Sequence, residues 1–208
     1  MSEGLLVVLS GPSGAGKGTL RPGLLAAFPN LRFCISATTR PPRRNETHGQ
    51  SYLFWTRQQF ERVRDAGGLL EWAEYVGNLY GTPREPVEQL LAEGRDVLLE
   101  KEMQGAGQLK EAFPQGVFIF VLPPSVAELK RRIAGRDTES PAEQLRRLQK
   151  ATAELESLPD YHYDYIVVND RLEDALDRIR AIIIAEHCRI SRQASGWVDA
   201  FCRRSEAT

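Results

Sequence analysis

A chain of 208 residues, 42% hydrophobic and 26% charged, can bury a full core and fits one domain with small insertions. Its formal charge of -1 argues against a nucleic-acid-binding surface as the main business, and no run approaches the ~18 uninterrupted apolar residues of a membrane span. Neither a basic leader nor a cleavage site opens the chain, and Cys34, Cys188 and Cys202 lack disulfide or zinc spacing, so a soluble cytoplasmic protein with reduced thiols and no nucleic-acid or membrane partner is expected.

The first predicted element is a strand over Leu5 to Ser10, which feeds Gly11-Pro12-Ser13-Gly14-Ala15-Gly16-Lys17-Gly18. Glycines let consecutive backbone N–H groups converge on one anion, the following helix offers its positive end, and Lys17 can reach outer phosphates. The loop therefore points to nucleotide chemistry. Gly18 stands where many such loops place a magnesium-ligating hydroxyl, and the hydroxyl comes one residue later, at Thr19. That variant is similar to the nucleoside monophosphate kinases, where phosphates and water hold most of the ion.

Further strands are predicted at Arg32 to Ser36, Val97 to Glu100, Val117 to Leu122 and Tyr165 to Val168, alternating with helices at about Lys17 to Phe28, Pro83 to Glu93, Gln104 to Ala112, Ser125 to Ala134 and Leu172 to Arg192. This rhythm predicts an α/β fold with a parallel sheet flanked by helices, whose ligands sit beyond the carboxyl ends of the strands. The pattern breaks twice. Residues 37–82 read as an inserted β-rich subdomain around a helix at Arg57 to Ala66, and residues 135–158 as a charged helical hairpin, too polar for a core element, that serves as a lid. The division expected is a domain over 4–190, with a core of about 1–36, 83–134 and 159–190, and a tail over 191–208. His48, His162 and His187 form no ligand pattern.

A guanine edge offers N1–H and an exocyclic amine beside a carbonyl, so a pocket for it needs a carboxylate acceptor and a hydroxyl or amide donor. Glu71, flanked by Leu70 and Trp72, and Ser36 match that need. The segment ending Glu100-Lys101-Glu102 is read as a strand carrying two acids on one face, since strand side chains alternate. Helix-borne Arg132 and Arg136, with Arg147 on the lid, are candidate cations for a moving phosphoryl group.

From about Gly4 to Arg192 the chain resembles the bacterial guanylate kinases, with a P-loop NTPase-type sheet, a GMP-binding subdomain and a helical lid. The resemblance rests on Ser10 to Lys17, Thr38-Thr39-Arg40-Pro41-Pro42-Arg43, Gly49-Gln50-Ser51-Tyr52, Leu70-Glu71-Trp72-Ala73, Gly77-Asn78-Leu79-Tyr80-Gly81-Thr82 and Gln104-Gly105-Ala106. It implies phosphoryl transfer from ATP to GMP, giving ADP and GDP, in guanine nucleotide metabolism and GMP recycling. It also implies that Ser36, Glu71, Thr82 and Glu102 bind guanine, while Arg40, Arg43, Tyr52 and Tyr80 hold the acceptor phosphate. ATP is expected on Gly11 to Thr19 with Asn169 at adenine, and Mg2+ near Glu100 and Thr19. Lys101 departs from the pattern, because an apolar residue usually separates the two acids; as a strand-end lysine it can snorkel to water or pair with an acid. The expected partners are ATP, GMP and dGMP, on a monomer or homo-oligomer. The competing readings are a non-catalytic guanylate-kinase-like interaction module and a kinase for another phosphorylated small molecule. Lys17, Arg40, Arg43 and Glu100 count against the first, and Glu71 and Ser36 against the second.

Overall fold

The computed structural model describes residues 4–75, 77–134 and 141–193. The central strand β1 (Leu6–Ser10) is buried throughout. It alternates cleanly: Val7 and Leu9 pack to one side with helices α1 (Lys17–Ala27) and, near the end of the chain, α7 (Leu172–His187). Leu6 and Val8 pack to the other, against α3 (Arg84–Ala92) and α4 (Met103–Ala112). A strand apolar on both faces must be covered on both, and that requirement places the helices.

Around β1 lie β2 (Leu31–Phe33), β7 (Asp96–Glu100), β8 (Val117–Leu122) and β9 (Tyr165–Val168), all parallel, in the order β2-β7-β1-β8-β9. This is the predicted parallel sheet. Two strand ends differ from expectation: β2 stops at Phe33, so Ser36 lies in the connection, and β7 stops at Glu100. Glu102 occupies the N-cap position of α4, so strand alternation does not put it on one face with Glu100. At the far end α7 stops at His187, and a short 3-10 turn over Ile190–Arg192 follows.

The insertion forms its own four-stranded sheet in the order β4-β3-β6-β5, from β3 (Ala37–Thr38), β4 (Leu53–Phe54), β5 (Leu69–Tyr75) and β6 (Asn78–Pro83), with α2 (Arg57–Asp65) packed beneath. Thr56 and Gln59 close a reciprocal capping box at the start of α2, and Phe60 on that helix is fully buried with Ala37, Leu69 and Leu79. A register shift between Leu69 and Glu71 interrupts the β5–β6 ladder. The irregularity lets three consecutive side chains be buried: Leu69 joins the subdomain core, Leu70 the main core, and Glu71 turns into the cleft between them.

Helix α5 (Val126–Ala134) begins where expected, with Ser125 Oγ accepting from the Glu128 N–H at 3.1 Å. Within the predicted lid, residues 135–140 lie outside the described set, and the remainder forms one helix, α6 (Pro141–Glu156). The expectation that this segment is too polar for a core needs correction. Leu148, Ala151 and Leu155 form an apolar stripe packed on Leu129 and Ile133 of α5.

Candidate active site

The phosphate loop is set where β1 passes into α1. Gly16 has φ 89°, and a Cβ there would stand 2.4 Å from Asn169 Nδ2, so the position requires glycine on two counts. Asn169, just after β9, is buried and donates from Nδ2 to the Ala15 carbonyl at 2.9 Å. It is a clasp on the loop. Lys17 Nζ folds over the rim, donating to the carbonyls of Gly11 and, at 3.3 Å, Pro12. The exposed Thr19 hydroxyl donates to Gly16 O at 2.6 Å, which leaves its oxygen able to accept or ligate.

Beside Lys17, the end of β7 presents Glu100. Its Oε1 is buried without a hydrogen-bond partner, and the nearest cation, Arg21 Nη1, is 3.7 Å away. Burial pushes the Glu100 carboxyl above its ordinary range, while Arg21, Lys17 and Lys101 oppose that shift. Gly18 faces this acid: a Cβ there would sit 3.9 Å from Oε2. A buried carboxylate oxygen lacking a donor, next to a phosphate loop and an exposed hydroxyl at Thr19, fits Mg2+. Among the described residues no cluster of three or more acidic, His or Cys ligands exists, so the protein offers few oxygens and suits an ion that keeps waters and phosphate oxygens.

On the other side of β7 the predicted guanine residues converge. Glu71 is 6% exposed; its Oε1 accepts from Thr82 Oγ1 at 2.6 Å and forms an ion pair with Lys101 Nζ at 2.8 Å. Lys101, itself 7% exposed, also donates to Ser36 Oγ at 2.7 Å. Of the two fates foreseen for this lysine, pairing with an acid is the one realised. Glu71 Oε2 lies against Gly105 on α4, where a Cβ would approach to 2.8 Å. Glu102 is exposed at the N-cap of α4. Burial lifts the nearby Cys34 thiol to about 11, with Lys101 opposing, which keeps it protonated at neutral pH.

Of the four groups expected at the acceptor phosphate, three are gathered. Arg40 makes a two-pronged contact with Glu46, Nη1 to Oε2 at 2.7 Å and Nη2 to Oε1 at 2.9 Å. Its guanidinium lies 5.5 Å from the Tyr52 ring centre, and that ring meets Tyr80 edge-on at 6.2 Å. Arg43 is exposed; its backbone N–H donates to Glu46 Oε2 at 2.8 Å and its carbonyl accepts from the Glu46 N–H at 3.0 Å. Hydrogen bonding to Arg40 holds the Glu46 carboxyl below its usual range.

Arg132 reaches toward the loop's clasp: Nη2 donates to the Asn169 carbonyl at 3.0 Å and Nε to Glu128 Oε1 at 2.7 Å. Arg136 lies outside the described residues. Arg147 falls on α6, its side chain outside the described set.

Sequence reasoning missed Glu46, Glu128 and Arg21, which orient Arg40, Arg132 and Glu100 respectively. Arg21 and Glu128 had a readable signal, since each stands four residues along a helix from Lys17 or Arg132 and shares that face. Glu46 had none beyond its charge, as a loop gives no fixed spacing.

The guanylate kinase family profile matches residues 3–186 of the chain. A guanylate kinase of Desulfitobacterium hafniense (strain Y51) is 52% identical over 192 residues, covering 92% of this chain and 95% of that protein. A guanylate kinase of Bacillus subtilis (strain 168) is 52% identical over 193 residues, covering 92% and 94%. Among solved structures, that of guanylate kinase from Anaplasma phagocytophilum superposes with a TM-score of 0.77 at 35% identity, covering 94% of this chain and 92% of that one.

Proposed function

The chain belongs to the guanylate kinase family and catalyses ATP-dependent phosphorylation of GMP to GDP, and from that premise we propose which of its groups hold each nucleotide. ATP phosphates sit on the backbone of Gly11 to Thr19, with Lys17 leaving the Gly11 and Pro12 carbonyls to meet the outer phosphates. Asn169 braces that loop from behind. GMP lies between the core and residues 37–82, its guanine read by Glu71 and Ser36 with Thr82, and its phosphate gripped by Arg40, Arg43, Tyr52 and Tyr80. Glu102 borders the guanine from the start of α4.

The acceptor is already an anionic phosphate oxygen, so no general base is needed and rate comes from alignment and cations. Arg132 supplies such a cation, and Arg136 and Arg147 are given the same role on their sequence positions. Mg2+ would be held through Glu100 and the Thr19 hydroxyl, and when bound it neutralises charge on the phosphoryl oxygens. Closure of the segment 135–158 and of the GMP subdomain excludes water from the transfer.

The observation that carries this reading is the buried Glu71 carboxylate, fixed through one oxygen and standing across β7 from the phosphate loop. Adenine would present an acceptor at N1 to that carboxylate, and pockets built on such bonds reject the wrong base by about 10⁴-fold. A coupled assay of ATP with GMP, AMP, CMP and UMP is expected to show GMP far ahead in kcat/KM. Glu71→Gln lowers GMP efficiency and narrows the gap to AMP, because an amide can donate to adenine N1. AMP turnover equal to GMP, or unchanged GMP kinetics in Glu71→Gln, would overturn the assignment.

A further inference from the structure

Lys101 stands at the junction of the two halves of the cleft, on the residue that follows β7. Its ammonium is almost wholly buried and meets both groups assigned to guanine, Glu71 Oε1 at 2.8 Å and Ser36 Oγ at 2.7 Å. An ammonium has three donors and no acceptor, so each of these contacts has a fixed direction. Ser36 Oγ accepts from Lys101, which turns the hydroxyl's own proton away from the lysine. Glu71 Oε1 accepts from Thr82 and faces the Lys101 ammonium as an ion pair, which leaves Oε2 as an acceptor beside the bare Cα of Gly105.

We propose that Lys101 is a positioning residue for guanine recognition: it sets the hydrogen-bond polarity of the pocket, holding Ser36 as a donor and Glu71 as an acceptor. This inference rests on the guanine-reading assignment of Glu71 and Ser36. A donor hydroxyl meets the carbonyl of guanine, and an acceptor carboxylate meets its N1–H and exocyclic amine. Adenine presents the reverse order, an amine and then an N1 acceptor. The lysine touches neither base. It acts by occupying one lone pair of Ser36, which biases the hydroxyl's proton toward the ligand, and by pairing its charge with that of a buried carboxylate.

The test is kinetic, on the full chain, with GMP and AMP as acceptors and ATP as donor. Lys101→Met keeps the stem and removes the donors; kcat/KM for GMP is expected to fall about tenfold or more, through KM for GMP, with KM for ATP unchanged within about twofold. The ratio of GMP to AMP efficiency is expected to fall with it, which a loss of mere stability does not produce. In a Ser36→Ala/Glu71→Gln background the same change is expected to alter GMP efficiency by less than about threefold, because the lysine acts through those two side chains. Should Lys101→Met alone fail to fold, Ser36→Ala/Glu71→Gln/Lys101→Met, which carries no unpaired charge, is compared with Ser36→Ala/Glu71→Gln. Matching kinetics support the proposal and a further tenfold loss overturns it. An unchanged GMP to AMP ratio in Lys101→Met, or equal movement of both KM values, overturns it while the guanine reading stands. Unchanged GMP kinetics in Glu71→Gln instead overturn the reading beneath it.

Discussion

Glu100 stands in surroundings that penalise its charged form, because burial outweighs the opposing pull of Arg21, Lys17 and Lys101. A carboxyl whose folded value is raised contributes stability while it is protonated, and loses that contribution as pH climbs through the raised value. The ionised acid therefore works against folding under the conditions in which it serves phosphoryl transfer. Glu100→Gln is expected to melt above the parent chain at about pH 7.5, with the difference closing toward about pH 4, where both side chains are neutral. Turnover falls in the same variant. Thermal melts at the two pH values decide the matter, and a variant that melts lower at neutral pH sinks the account. The neighbouring Lys101 shows the opposite economy: there the charge is paired with Glu71 at 2.8 Å, and each partner requires the other.

Among the elements, the GMP subdomain has a core of its own, built on Phe60 with Ala37, Leu69 and Leu79 and separate from the clusters on either face of the main sheet. Phe60→Ala removes the largest member, at about 3–5 kcal/mol for a buried aromatic. The loss is expected to fall on one substrate: calorimetry should find GMP binding weakened at least tenfold while ATP binding stays near that of the parent chain. Equal weakening of both ligands would tie the subdomain to the donor site and contradict that separation. The main strands and helices were legible because residues 6–9 of β1, 97–99 of β7 and the whole of β8 are unbroken apolar runs and the intervening helices have a 3.6-residue stripe. The lid helix was misjudged because Leu148, Ala151 and Leu155 are diluted by charge, and the stripe becomes clear only against α5. Site residues borne on motifs were legible one by one. Their mutual contacts were not: Lys101 and Ser36 meet across 65 positions of sequence, and Asn169 and Ala15 across 154, distances that periodicity does not span.

Over the whole molecule, donor and acceptor groups sit on different units, the loop at the head of α1 and the small sheet of residues 37–83, with β7 between them. In-line transfer requires those units to approach, so GMP together with a non-hydrolysable ATP analogue is expected to compact the protein more than either ligand alone. Solution scattering measures this directly, and coincident radii of gyration for the free and doubly liganded chain count against closure. The order β2-β7-β1-β8-β9 has another effect, on how the enzyme comes into being. The strand carrying the phosphate loop is made first, yet its sheet neighbours are aligned through Leu6 with Val97 and Val7 with Val117, and the clasp on Ala15 waits for Asn169. A chain emerging from the ribosome thus displays its nucleotide-binding motif long before it has a nucleotide-binding site, and its apolar first strand stays unpaired for most of synthesis. Products of interrupted translation that end before Asn169 carry the whole motif and lack the means to hold ATP with it.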